Sequence, residues 1–114
     1  MARPWIFGLC LLLAACGQAT PKTPFDPEQW RSADLTTRSR AEMVDSLLQL
    51  HPLRGKSRTA IVALLGDPTT TDMWPQSEMV YVLGPTRGFA IDHEWLLIEL
   101  DADQKVVSYT VLSD

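Results

Sequence analysis

Cysteine and histidine, the side chains that most often carry metal, redox or proton-transfer chemistry, are scarce in this sequence. The 114 residues include two cysteines and two histidines. Both cysteines, Cys10 and Cys16, precede the region in which folded structure is predicted, so we expect no disulfide within the domain. Its stability must therefore come from the packing of apolar side chains.

Positively charged residues are also few relative to negatively charged ones. Ten lysines and arginines stand against fourteen aspartates and glutamates, which gives a formal net charge of −4. The basic residues form no stripe or cluster, so nucleic acid is not expected as a partner. There is also no polybasic patch of the kind that grips anionic lipid headgroups.

A hydrophobic run long enough to cross a membrane is missing as well. The apolar stretch from Ile6 to Ala15 is interrupted by Gly8, and a bilayer core requires roughly twenty residues. A basic start at Arg3, a short apolar run and small residues at its end are typical of a secretory signal. The sequence therefore predicts a signal peptide over residues 1–15.

The end of this run reads Leu13-Ala14-Ala15-Cys16 and resembles the bacterial lipobox at all four positions. In that motif the cysteine is acylated and becomes the mature N-terminus, so we expect palmitate and related chains on Cys16, which attach the protein to a membrane. Gly17 stands where an Asp retains lipoproteins in the inner membrane of Gram-negative cells. This predicts the periplasmic face of the outer membrane; the alternative is an ordinary signal peptide with a chance cysteine.

The mature chain, residues 16–114, is long enough for one domain. Loss of Arg3 leaves 9 basic against 14 acidic residues, a net charge of −5. Residues 16–24 are polar and proline-containing, which predicts a flexible tether after the lipidated cysteine. Folded structure is expected over residues 25–114.

The helical region is predicted to contain three helices. Asp26 before Pro27 is typical of a helix start, and a short leading helix should run to about residue 33. A second helix is predicted over residues 37–50. Its apolar stripe is Met43, Val44, Leu47, Leu48 and Leu50, with Arg38, Arg40, Asp45 and Gln49 largely off it. Ser57 should cap the third helix, and Gly66 should end it in a left-handed conformation.

After the third helix, the spacing of apolar residues changes to the alternation that is typical of strands. Residues 79–83, 92–100 and 105–112 read as three strands, with residues 86–91 and 101–104 as turns. Short links imply an antiparallel meander. The fold class is therefore α+β, with two main helices and the leading helix packed on one face of a three-stranded sheet.

These segments together resemble a known family. The residues that carry the resemblance are Leu53-Arg54-Gly55-Lys56-Ser57, Ile61-Val62-Ala63-Leu64-Leu65-Gly66-Asp67-Pro68, Tyr81-Val82-Leu83-Gly84 and Trp95-Leu96-Leu97-Ile98-Glu99-Leu100-Asp101. With the lipobox and tether, they are similar to the BamE family of outer-membrane lipoproteins, also called SmpA/OmlA. The β-lactamase-inhibitor-like fold shares the architecture. Lys56 departs from the methionine common in the family, and the tether lacks the apolar-aromatic segment through which BamE engages partners.

No residue pattern in the chain indicates catalysis, a metal or a cofactor. Asp92 and Glu94 alternate with His93 along a strand, so the three side chains cannot converge on one ion. His51 suits a helix end. Asp101 and Asp103 begin like a calcium loop, but Lys105 occupies the next ligand position, so turn chemistry explains them.

A binding role is indicated instead by the middle strand, which is apolar on both faces. Leu96, Ile98 and Leu100 should pack on the helices. A partner-binding face on the other side is then predicted from Trp95 and Leu97, extended by Met79 and Tyr81 of the neighbouring strand. The alternative is that this face is covered, either by the leading helix with Phe25 and Trp30 or by the Met73–Trp74 loop.

These observations favour a non-enzymatic outer-membrane lipoprotein that serves as a scaffold or accessory protein for an envelope complex. The BamE resemblance implies that this complex acts in outer-membrane protein assembly or envelope integrity. The partner is expected to be another envelope protein. A second hypothesis is an inhibitor or ligand-binding module that uses the sheet face of the same fold. A structural link to the cell wall has less support, because no peptidoglycan-binding motif is recognisable.

Overall fold

The α+β fold predicted from the sequence is confirmed. The computed structural model describes residues 23–87 and 92–114. The predicted signal peptide, Cys16, most of the predicted tether and residues 88–91 of the predicted turn lie outside the described residues. The elements in chain order are α1 (Pro27–Arg31), α2 (Ser39–Leu50), α3 (Arg58–Leu65), β1 (Met79–Pro85), β2 (His93–Leu100) and β3 (Val106–Ser113).

Local capping determines where two of the helices begin. The Asp26 carboxylate accepts hydrogen bonds from the backbone N–H groups of Glu28 and Gln29, at 2.8 and 3.2 Å. The Ser57 hydroxyl accepts one from the N–H of Ala60 at 3.1 Å. Each cap satisfies an N–H that the helix itself leaves free and contributes about 1 kcal/mol. Both starts were predicted from these residues.

The sheet is an antiparallel meander in the order β1-β2-β3. Met79 lies opposite Ile98 and Tyr81 opposite Leu96 across the first pair of strands. The register between β1 and β2 shifts between Val82 and Gly84, and pairing then resumes with Pro85 opposite His93. The strand therefore ends at Pro85 and not at Leu83 as predicted. A Cβ at Gly84 would collide with the carbonyl oxygen of Thr37, so only glycine lets the start of α2 approach β1 this closely.

The core lies between the helices and one face of the sheet. Leu96, Ile98 and Leu100 project into it, as predicted. The helices supply its other side, with Trp30 and Leu47 completely buried. The remaining buried members are Phe25, Met43, Val44, Leu53, Ile61, Leu65, Met79, Tyr81, Leu83 and Val106.

The predicted apolar stripe of α2 needs correction at both ends. Leu50, the last residue of the helix, is 64% exposed, although Leu47 one turn earlier is completely buried. Arg40, predicted to lie off the stripe, is buried. It stands three residues before Met43 and seven before Leu47, so it occupies the buried face of the helix.

Candidate functional site

The four residues predicted to form one partner-binding face lie on opposite faces of the sheet. Trp95 and Leu97 share one face. Met79 and Tyr81 lie on the other, completely buried among the helices. Directly opposite residues in an antiparallel pair point to the same side, and the partners of Met79 and Tyr81 are the core residues Ile98 and Leu96. The predicted grouping is therefore wrong.

The side of the sheet that faces away from the helices has its own apolar cluster. Val80 lies opposite Leu97 and Val82 opposite Trp95, and these four side chains pack together. All four are at most 8% exposed. We call this group the second-face cluster. Val80 and Val82 take the places that the sequence prediction assigned to Met79 and Tyr81.

A loop over residues 66–78, which joins α3 to β1, covers the second-face cluster. The Trp74 ring meets the Trp95 ring edge to face, with their centroids 6.3 Å apart. The loop is tied along the outer edge of β1, where the Thr69 N–H donates to the Val80 carbonyl at 2.7 Å and the Val82 N–H donates to the Thr69 hydroxyl at 3.0 Å. Of the alternatives left open by the sequence, coverage by the Met73–Trp74 loop is the one observed, whereas Phe25 and Trp30 pack on the helix side.

Tyr81 holds the end of α3 against the sheet. Its hydroxyl donates a hydrogen bond of 2.7 Å to the carbonyl of Gly66, one of the carbonyls that a helix C-terminus leaves without an intrahelical donor. Burial raises the pKa of Tyr81 to about 12. The phenol therefore stays protonated at neutral pH and acts as a structural donor, not as a surface for a partner.

Arg40 is a buried cation that the sequence analysis missed. Its guanidinium lies over the Trp30 ring, 5.1 Å from the ring centroid. Its Nε donates to the Trp30 carbonyl at 2.9 Å and its Nη1 to the Val82 carbonyl at 3.3 Å. Burial lowers the pKa of Arg40 from its usual value. Arg40 thus joins α1, α2 and β1 through carbonyl oxygens and a ring face, not through a carboxylate.

The residues Asp92, His93 and Glu94 do not form a common site. Glu94 pairs with Arg38 at 3.3 Å, His93 lies tilted against the Trp95 ring, and Asp92 is exposed. Within residues 23–87 and 92–114, no three His, Cys, Asp or Glu side chains lie close enough together to hold a metal ion.

Two further candidates have structural explanations. His51 ends α2, where its N–H donates to the Leu47 carbonyl, and its ring packs edge to face on Phe25 at 5.3 Å. The Asp101 carboxylate accepts hydrogen bonds from the N–H groups of Asp103 and Lys105 at 2.8 and 3.0 Å. This is the turn chemistry predicted for the link between β2 and β3.

A pair of carboxylates, Glu78 and Glu99, is the acidic feature that sequence reasoning did not identify. Burial raises the pKa of Glu99, and the neighbouring carboxylate of Glu78 adds to the shift. A hydrogen bond from the Leu100 N–H lowers the pKa of Glu78. Glu99 also accepts from the Ser77 hydroxyl at 2.8 Å, which fastens the end of the covering loop to β2.

An open groove of about 290 Å³ lies beside α3 and is lined by His51, Lys56, Ala60, Ala63 and Leu64. A second open groove, of about 390 Å³, is lined by Glu28, Arg31 and Ser32 of α1 and its C-cap. Both are open to solvent, unlike the deep clefts that usually bind small molecules. In the described part of the chain, no helix has the length and apolar character needed to cross a bilayer.

Comparison with protein-family models, with curated proteins and with solved structures finds no match to this chain. The resemblance to the BamE family therefore stays a prediction from the residues quoted above.

Proposed function

We propose that this chain is a non-enzymatic lipoprotein, anchored through acyl chains on Cys16 to the periplasmic face of the outer membrane. There it serves as a scaffold or accessory protein in an envelope complex. The observation that carries the proposal is the complete Leu13-Ala14-Ala15-Cys16 motif at the end of a short apolar run. Each buried methylene of an acyl chain contributes about 0.8 kcal/mol of membrane attachment, so several chains make the anchor durable.

The place where the described fold begins supports this arrangement. Phe25 is buried, its N–H donates to the Ser46 hydroxyl at 2.9 Å, and its ring packs on Trp30 and His51. A polar, proline-containing segment separates this residue from Cys16. Eight residues at about 3.1 Å each would let the domain stand roughly 25 Å from the lipid surface, within reach of other membrane-attached proteins.

The alternative function, an inhibitor or ligand-binding module, has less support than the scaffold or accessory role. An inhibitor acting through the open sheet face requires the second-face cluster to be accessible, and the covering loop with Trp74 lies over it. A scaffold does not depend on that face. The accessory role is therefore preferred, with its contacts made by surfaces other than the second-face cluster.

A pull-down from the native envelope in a gentle detergent tests the proposal, with the tag at the C-terminus. We expect wild-type protein to bring down other envelope proteins and to incorporate labelled palmitate. Cys16→Ala should abolish both results. Cys10→Ala is the matched control, because it removes the other cysteine of the sequence, which lies within the predicted signal peptide. It should leave both the captured proteins and the palmitate incorporation unchanged.

Two outcomes would overturn the proposal. Palmitate incorporation that survives Cys16→Ala would show that Cys16 is not the acylated residue. Specific capture of a soluble periplasmic enzyme, equally with and without the lipid, would favour the inhibitor.

A further inference from the structure

The outer edge of β3 presents unpaired main-chain groups. The Asp114 N–H donates to the His93 carbonyl at 3.0 Å, and Glu94 lies opposite Ser113. Because hydrogen bonding alternates along an antiparallel strand, Tyr109, Val111 and Ser113 point their N–H and C=O groups away from β2. Within the described residues, these groups have no backbone partner.

The two outer edges of the sheet differ in whether their main-chain groups are hydrogen-bonded to another segment of the chain. The outer edge of β1 is occupied, because Thr69 of the covering loop bonds to both Val80 and Val82. The outer edge of β3 carries none of the usual protection against pairing, such as proline, lysine or an inward-pointing charge. From Val106 to Ser113 the strand contains no charged residue and no proline. Val111 and Leu112 are about two-fifths exposed, at 39% and 41%.

The open part of this edge has a defined start. The Val106 N–H donates to the Lys56 carbonyl, and the Val106 carbonyl accepts from the Gly55 N–H, at 2.9 and 2.8 Å. The loop before α3 therefore occupies the beginning of β3. The edge is free from Ser108 onward, and Val111 lies at the centre of the stretch from Ser108 to Asp114.

We propose that this edge binds a second copy of the same chain, β3 against β3, antiparallel about a two-fold axis at Val111. In this register Val111 faces Val111 and Tyr109 faces Ser113, so every outward main-chain group of the three residues gains a partner. A register centred on Tyr109 would drive the incoming strand into the loop at Gly55 and Lys56, so it is excluded.

The charges favour a second copy in this register. Asp114 of one copy lies opposite the uncharged Ser108 of the other, and no like charges face one another. Leu112 lies opposite Thr110 on the second face. Two copies of this uncharged stretch have the same length, and their outward N–H and C=O groups face one another in the antiparallel register. Another β3 therefore fits this edge better than a charged peptide does.

Disulfide trapping in the full-length protein, in its native membrane or in gentle detergent, tests the pairing. Residues in a hydrogen-bonded antiparallel pair have Cα atoms about 5.5 Å apart, within the range of about 4.4–6.8 Å that a disulfide accepts. Val111→Cys should therefore form a covalent homodimer under mild oxidation. Val107→Cys is the matched control, since it is an exposed valine of the same strand that lies outside the paired stretch, and it should yield at least tenfold less dimer.

A second variant separates pairing from folding. The N–H of Val111 points away from β2, so Val111→Pro removes no hydrogen bond within the sheet but blocks the incoming strand. We expect it to keep the circular dichroism spectrum of the wild type and to sediment as a monomer at concentrations where the wild type is a dimer. Equal trapping at positions 107 and 111, a wild type that is monomeric at millimolar concentration, or trapping of a different protein would overturn the proposal.

Discussion

At the scale of single residues, Arg40 shows how a polar side chain can be part of a small core. Its guanidinium replaces water at two buried carbonyl oxygens, those of Trp30 and Val82, while its charge lies over the Trp30 ring. A cation–π contact of this kind contributes about 1–2 kcal/mol when it is shielded from water. The helical spacing of Arg40 with Met43 and Leu47 was the signal available in the sequence, but arginine is so often exposed that the spacing alone did not reveal its burial.

The first prediction concerns Arg40→Met. This change keeps most of the side-chain volume but leaves the carbonyls of Trp30 and Val82 without these donors. We expect the free energy of unfolding to fall by about 2–3 kcal/mol, measured by urea denaturation. Arg54→Met, at an exposed loop position, should change it by less than about 0.5 kcal/mol; equal effects of the two substitutions would contradict the structural role assigned to Arg40.

Tyr81 gives a prediction for alkaline pH. Burial raises its pKa to about 12 in the folded protein, against about 10 in an unfolded chain. The folded state therefore keeps a proton that the unfolded state releases, so the contribution to stability is complete below pH 10 and is lost as pH rises from 10 to 12. Tyr81→Phe should lose about 1 kcal/mol at pH 7 through the missing bond to Gly66 and should show a smaller decline above pH 10.

Denaturant titrations at pH 7 and at several values between pH 9 and 11.5 measure both effects. Tyr109→Phe is the control, because this half-buried tyrosine lies at the edge of the same core. It should retain the alkaline decline of the wild type. The same decline in Tyr81→Phe as in the wild type would show that another group causes it.

At the scale of elements, sequence reasoning succeeded where local chemistry decides the structure. Asp26 and Ser57 each start a helix, and Gly66 ends one. Each acts on the backbone of neighbouring residues, and the structure confirms all three positions. Sequence reasoning failed at the pairing of β1 with β2. Both rows of β1 are apolar, so alternation within the strand does not say which row faces the helices, and a shift of one residue exchanges them. The observed register places Met79 opposite Ile98 and Tyr81 opposite Leu96, and it shifts between Val82 and Gly84.

The covering loop is the element whose position most changes the functional interpretation. The indole N–H of Trp74 is buried without an acceptor in the described part of the chain, a defect that costs about 1–3 kcal/mol. The contact of its ring with Trp95 offsets this cost. Trp74→Ala should therefore destabilise the protein by about 2 kcal/mol and increase binding of a hydrophobic dye to the second-face cluster.

Trp74→Phe is the matched comparison, because it keeps a ring over Trp95 and removes the unsatisfied N–H. We expect its stability to equal or exceed that of the wild type, with no increase in dye binding. Stability and dye fluorescence are measured on the same samples. A cluster that binds dye equally in all three proteins would mean that the loop does not cover it in solution.

At the scale of the whole molecule, the parts have different roles. The described domain is a sheet with helices on one face and the covering loop on the other, so both apolar faces of the middle strand are buried. The edge of β3 remains the exposed feature suited to pairing. The proposed lipid on Cys16 would confine copies of the chain to one surface, where a weak edge-to-edge contact becomes populated more readily than in dilute solution.

The central claim, that Cys16 carries the anchor, is tested most directly by mass spectrometry of the N-terminal peptide of protein isolated from its native membrane. The account predicts a mature chain that begins at Cys16 and has the added mass of a diacylglyceryl group, with or without a further acyl chain on the amino group. A chain that begins at another residue, or an unmodified Cys16 at its N-terminus, would contradict it.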